Sequence, residues 1–96
     1  MISTHVLDTE RGRPAQGVRV ELYRGDQLLA AKETGADGRI AELAEAPEPG
    51  TYRLVFLPPS SPFFKRIELE IAVDDTGHLH VPLLLSPYGC TTYRGS

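Results

Sequence analysis

The 96-residue chain has one cysteine, one methionine and no tryptophan. A lone Cys90 cannot close an intramolecular disulfide, so stability has to come from packing or from association between chains. Basic clusters are equally scarce: Lys65-Arg66 is the single adjacent lysine–arginine pair, and the formal charge is -3. Such a chain offers no stripe for a phosphate backbone, which argues against nucleic acid as a partner. No run approaches the roughly 20 apolar residues of a membrane-spanning helix. The opening MISTHVLD starts a strand-like pattern at once, with no charged n-region and apolar h-region. A cytoplasmic protein is the expectation. What is there is an ordinary globular composition, 41% apolar and 24% charged, and a length that suits one domain over residues 1–96.

Alternation with period two runs through the chain. Val18, Val20 and Leu22 share one face while Arg19, Glu21 and Tyr23 share the other. Tyr52, Leu54 and Phe56 repeat the pattern, as do Ile67, Leu69, Ile71 and Val73 against charged Arg66, Glu68 and Glu70. Turn signals separate these runs at short intervals: RGRP, RGD, GADG, EPG, LPPSSP and DDTG. Only Ile40 to Ala46 has helix-friendly composition, and it is short and stops at Pro47. The expected fold is all-β, an antiparallel sandwich or barrel with little or no helix.

The segment HLHVPLLLS departs from the alternation. Leu79, Val81, Leu83 and Leu85 make a core face, but His78, His80, Pro82 and Leu84 do not make a solvated one. A strand in a parallel sheet would be covered on both sides, yet no crossover helices are in sight. The preferred expectation puts Pro82 at an edge or bulge, where no ladder donor is needed, with a subunit contact on the outer face.

Three strand residues carry chemistry. His5 lies between Thr4 and Val6, His80 lies in the last long run, and Arg39 follows the Asp37-Gly38 turn. Taken alone, a strand histidine is more often a structural residue than a catalyst, and an arginine after a turn is usually solvated. Together, two imidazoles that titrate near neutrality and a permanent cation suit hydrolysis of an activated amide by water. Zinc held by His78, His80 and either His5 or Cys90 lacks recognisable ligand spacing. Cys90 as a nucleophile lacks a cationic partner or helix N-terminus. Gly35 to Gly38 lacks the Lys-Ser/Thr of a phosphate loop and reads as a hairpin turn, and Arg24-Gly25-Asp26 reads as another.

The pieces STHVLDTERGRPAQGVRVELYR, TGADGRIAEL, GTYRLVF and HVPLLLSPYGCTTYRGS resemble the 5-hydroxyisourate hydrolases, the transthyretin-related enzymes of urate breakdown, over nearly the whole chain. The resemblance implies a prealbumin-like sandwich of two roughly four-stranded sheets. It also implies a homotetramer with sites at a subunit interface, no metal or other cofactor, and 5-hydroxyisourate as substrate. His5, Arg39 and His80 match the family's catalytic positions, and Tyr93, Arg94, Gly95 and Ser96 match its substrate-binding YRGS ending. Transthyretin, the hormone carrier of the same fold, has lysine at the first of these positions and no such ending. On this basis Tyr93 is expected to anchor the tail and Ser96 to reach the substrate. A non-catalytic prealbumin-like module that binds a small ligand or a protein is the alternative. Two departures stand out: LPPSSP replaces the family's short helix, and Cys90-Thr91 replace its Tyr-Ser.

Overall fold

Strand β3 (Arg19–Arg24) shows how the alternation becomes structure. Val20 and Leu22 are fully buried, whereas Arg19 and Arg24 stay in solvent. Residues with one apolar face have to cover it against a second layer, and the chain does so with two sheets. The computed structural model describes residues 1–75 and 77–96. One sheet has the order β4-β3-β6-β7, all antiparallel, built from β4 (Gln27–Glu33), β6 (Gly50–Leu57) and β7 (Ile67–Val73) around β3. The other runs β2-β1-β8-β9, from β1 (Ile2–Asp8), β2 (Arg13–Pro14), β8 (Leu79–Leu85) and β9 (Cys90–Thr92). Strand β5 (Arg39–Ala44) also pairs with β1. Because β8 lies along one edge of β1, β2 and β5 share the other: β2 beside Leu7 and Asp8, β5 beside Ile2 to His5.

Between the sheets sits one core. Ile2, Val6 and Leu83 of the β1–β8 sheet meet Val20, Leu22, Leu54 and Phe56 of the β3–β6 sheet, each buried to 1% exposure or less. Truncating a fully buried aromatic of this kind removes transfer free energy and leaves a cavity, a loss of about 3–5 kcal/mol.

All nine strands among the described residues, and no helix, agree with the all-β expectation. Three particulars differ. The sheet that holds β1 has five strands where roughly four were expected. The Gly35–Gly38 turn is closed by a Gly38 N–H to Gly35 carbonyl bond of 2.9 Å, but it does not form a hairpin. It carries the chain from β4 in one sheet to β5 in the other. Third, β1 and β8 are parallel and in continuous register from Ile2–Leu79 to Asp8–Leu85. No crossover helix is needed because β2, β5 and the whole β4-β3-β6-β7 sheet form the connection.

Strand β8 is therefore interior, and Pro82 is buried within the chain itself. The backbone explains how an interior strand tolerates proline. The odd residues of β8 direct their polar groups at β1, as in Leu79 N–H to Met1 O and Thr9 N–H to Leu85 O. The even residues face β9 and the tail. Regular β8–β9 pairing covers Leu83 to Leu85, and the next contact is the isolated bridge between His80 and Gly95. Pro82 falls in the gap, where its carbonyl accepts the Thr92 hydroxyl at 2.8 Å and no amide is required.

Candidate active site

The β1–β8 register sets the site. Ser3 lies beside His80 and His5 beside Pro82, so the side chains of Ser3, His5, His80 and Pro82 share the face opposite the core. On the other edge of β1, His5 is paired with Arg39. Arg39 opens β5 immediately after Gly38, whose φ of 74° is a left-handed conformation. A Cβ there would lie 2.6 Å from the Val6 carbonyl oxygen and 2.9 Å from Pro14 Cβ. Glycine at 38 thus lets the turn press against β1 and deliver Arg39 to the histidines, and the Val6 N–H to Gly38 O bond of 2.8 Å holds it there.

The two imidazoles meet directly. His5 Nδ1 and His80 Nε2 are 2.8 Å apart, with ring centroids 4.9 Å apart and planes tilted by 33°. The other nitrogen of His80, Nδ1, is 2.7 Å from Ser3 Oγ, and Ser3 Oγ is 2.6 Å from His78 Nε2. Ser3 is buried, His5 and His80 are half-buried, and His78 is exposed. Burial holds the His5 pKa below the ordinary imidazole value, and the Arg39 guanidinium lowers it further. Burial also lowers His80, followed by the charges of His5, Arg39 and His78. Both rings are accordingly neutral at pH 7, each with one nitrogen able to accept a proton and one able to donate.

The expected trio of His5, Arg39 and His80 comes together. Of the ending, Gly95 does too: its N–H donates to the His80 carbonyl at 2.7 Å, and a Cβ on it would lie 2.8 Å from His80 Cδ2. A larger residue would push the ring. Tyr93 and Arg94 line a separate cleft with Thr92, Leu79, Val81 and residues of β7. Tyr93 is 52% exposed, so this chain alone does not supply the anchor expected for it, and Ser96 is exposed beside Gly95. The possible zinc set is not assembled, since Ser3 stands between His78 and His80 and engages a nitrogen of each. Cys90 pairs with Leu85 at the far end of β8 and is an exposed free thiol. Ser3 is the residue that sequence reasoning missed. Its signal was its position two residues before His5, on the same strand face.

A family model described as the HIUase/transthyretin family matches residues 2–95. The chain belongs to that family. Among curated members of the HIUase/transthyretin family, 5-hydroxyisourate hydrolase 2 of Rhizobium meliloti is 43% identical, over 99% of this chain and 95% of its own length. That alignment spans 114 positions against 96 residues here, so this relative carries segments that the chain lacks. The solved Klebsiella pneumoniae 5-hydroxyisourate hydrolase superposes with a TM-score of 0.90 at 39% identity, covering 99% of this chain and 97% of that one. Sea bream transthyretin in complex with thyroxine superposes at 0.85 with 27% identity, covering 98% and 93%. The fold is thus shared by a hydrolase and by a thyroxine-bound transthyretin. What separates them has to be looked for in the site.

Proposed function

We propose that this protein hydrolyses 5-hydroxyisourate to 2-oxo-4-hydroxy-4-carboxy-5-ureidoimidazoline, a step of urate breakdown. The observation that carries the reading is the 2.8 Å contact between two neutral imidazoles, His5 and His80, with Arg39 paired to His5. The hydrolase relatives add weight because their match extends over nearly the whole chain.

One imidazole accepts a proton as water adds to the ring carbonyl. Arg39 holds the substrate and balances charge developing on the carbonyl oxygen. As the carbon–nitrogen bond breaks, the imidazolium returns the proton to the departing ring nitrogen, so protons balance over the cycle. Two neutral rings in contact suit this exchange, because one nitrogen can accept while another donates. Tyr93, Arg94, Gly95 and Ser96 bind the substrate in this reading, with Gly95 the part of the ending that already touches His80.

We further propose that the protein works as a homotetramer with sites at a subunit interface, in the cytoplasm. Phe63, Tyr88 and Tyr93 are 62%, 75% and 52% exposed, a large apolar area for a 10.5 kDa chain. An interface at the tail would give Tyr93 the cover its own chain does not, and an exposed free Cys90 suits a reducing compartment.

The test is the decay of freshly generated 5-hydroxyisourate with and without the protein. Acceleration is expected, and His5→Ala and His80→Ala should each lower kcat by about 10²- to 10⁴-fold, the usual contribution of a general acid–base group. An uncatalysed rate with the intact protein would return it to the class of non-catalytic binding modules.

A further inference from the structure

The His5–His80 pair does not end at His80. Four side chains form one line: His78 Nε2 to Ser3 Oγ at 2.6 Å, Ser3 Oγ to His80 Nδ1 at 2.7 Å, and His80 Nε2 to His5 Nδ1 at 2.8 Å. One end of it, His78, is in solvent, while the middle, Ser3, is buried. We propose that Ser3 and His78 are positioning residues that extend the histidine pair into a proton wire, with the exposed His78 as its outlet. The proposal rests on the hydrolytic reading above.

The chemistry of the groups leaves two ordered arrangements when all three rings are neutral. A neutral imidazole donates from one nitrogen and accepts at the other, and a serine hydroxyl donates once. In the first arrangement every donor points outward: His5 Nδ1–H to His80 Nε2, His80 Nδ1–H to Ser3 Oγ, and Ser3 Oγ–H to His78 Nε2. His5 Nε2 then has a lone pair and is the base. In the second every donor points inward, and His5 Nε2 carries a hydrogen and is a donor. Passage from the first to the second takes one proton in at His5 Nε2 and moves one proton across each of the three hydrogen bonds. It releases one proton from His78 Nδ1 to water. Each nitrogen and the hydroxyl oxygen exchange one N–H or O–H bond, so atoms and charge balance.

This places the proton taken from the attacking water, or its equivalent, within reach of bulk solvent without opening the site, so the imidazolium of the simple cycle discharges through the wire. When the departing ring nitrogen takes the His5 Nε2 proton, the reverse passage takes one proton up at His78 Nδ1 and restores the first arrangement, so protons balance over the cycle. It also makes His78 a control. Once His78 is protonated, both of its nitrogens are donors, which imposes the inward arrangement through Ser3 and removes the lone pair at His5 Nε2. Among the described residues, the charges that reach the line are Arg39 from β5, which acts on both His5 and His80, and the Met1 ammonium, which bonds the Gly77 carbonyl next to His78.

Two measurements test the wire. In the first, turnover of 5-hydroxyisourate by the intact protein is compared with that of Ser3→Ala, Ser3→Thr and His78→Ala, with uncatalysed decay subtracted. Ser3→Ala and His78→Ala should lose about tenfold or more in kcat, somewhat below the loss of a direct acid–base group, with KM little changed. Ser3→Thr, which keeps the hydroxyl, should recover most of it. Added imidazole should restore His78→Ala, whose outlet is missing, but not Ser3→Ala, whose break is buried. Wild-type kcat in Ser3→Ala and His78→Ala, or the same response of both to imidazole, overturns the proposal. In the second, long-range ¹H–¹⁵N spectra of the histidine rings read the tautomers without any substrate. Lowering the pH until the same spectra show the His78 ring doubly protonated should drive His5 and His80 together to the Nε2–H form, and Ser3→Ala should abolish that coupling. Independent tautomers in the intact protein overturn the wire whatever the turnover assay shows, so failure of the hydrolase reading is separable from failure of the wire.

Discussion

His5 and His80 sit in a setting that makes their protonation a property of the fold. Both have pKa values lowered from 6.5, mainly by burial. Above that value folded and unfolded chains are both unprotonated at these rings and nothing is lost. As pH falls below 6.5 the unfolded chain takes up protons that the folded one refuses, so stability declines until the folded values are reached. Thermal midpoints should therefore drop between pH 7.5 and 5.5, and His80→Gln should flatten the drop. A midpoint indifferent to pH in that window contradicts the lowered values. Gly95 is the second sensitive position. Gly95→Ala places a carbon against the His80 ring, and a displacement of that size should reduce kcat about 10- to 100-fold. The folding midpoint should hardly move, because Gly95 makes one isolated bridge outside the strands and takes no part in the core. Loss of stability equal to the loss of activity would assign Gly95 a role in folding instead. Of these residues, His5, Arg39 and His80 were legible because strand histidines and an arginine after a turn stand out one at a time. Ser3 was not, since its meaning depends on being opposite a residue 77 positions away.

At the level of elements, the strands with strict alternation could be read from the sequence, as in β3 and β7. Strand β5 could not. Its residues Ile40 to Ala44 have helix-friendly composition, and their extended state comes from pairing with β1, a case of tertiary contacts overriding local preference. The parallel pairing of β1 with β8 was hidden for another reason: the connecting segment is a whole sheet, which no local pattern announces. The Gly38 turn gives this level its test. Gly38→Ala combines a left-handed backbone with contacts under 3 Å to Val6 and Pro14 and should destabilise the protein by roughly 3 kcal/mol. Gly12 has a similar φ of 68° but nothing within 4 Å, so Gly12→Ala should cost about 1 kcal/mol, the conformational part alone. Denaturant midpoints of the two variants separate strain from crowding. Equal losses would mean that the β4–β5 turn does not press on β1 as described.

For the whole molecule, the sandwich was legible and the assembly was not, because an outer face with partly apolar character reads the same whether the chain or a partner covers it. Pro82 is covered by the chain, whereas Tyr93 is not. Light scattering on the purified protein should give a mass near four times 10.5 kDa, and deletion of Arg94 to Ser96 should abolish turnover while leaving the fold intact. A monomer with full activity would place the whole site on one chain. The adjacency of the first and last long strands has a consequence for biosynthesis as well. His5 leaves the ribosome well before its partner, which lies 75 residues later. While translation proceeds at about 5–20 residues per second, β1 can find β5 on one side, yet its other edge stays unpaired until β8 appears. Until then the histidine pair cannot form and the nascent chain carries an open strand edge, which is when chaperones or premature termination would matter most.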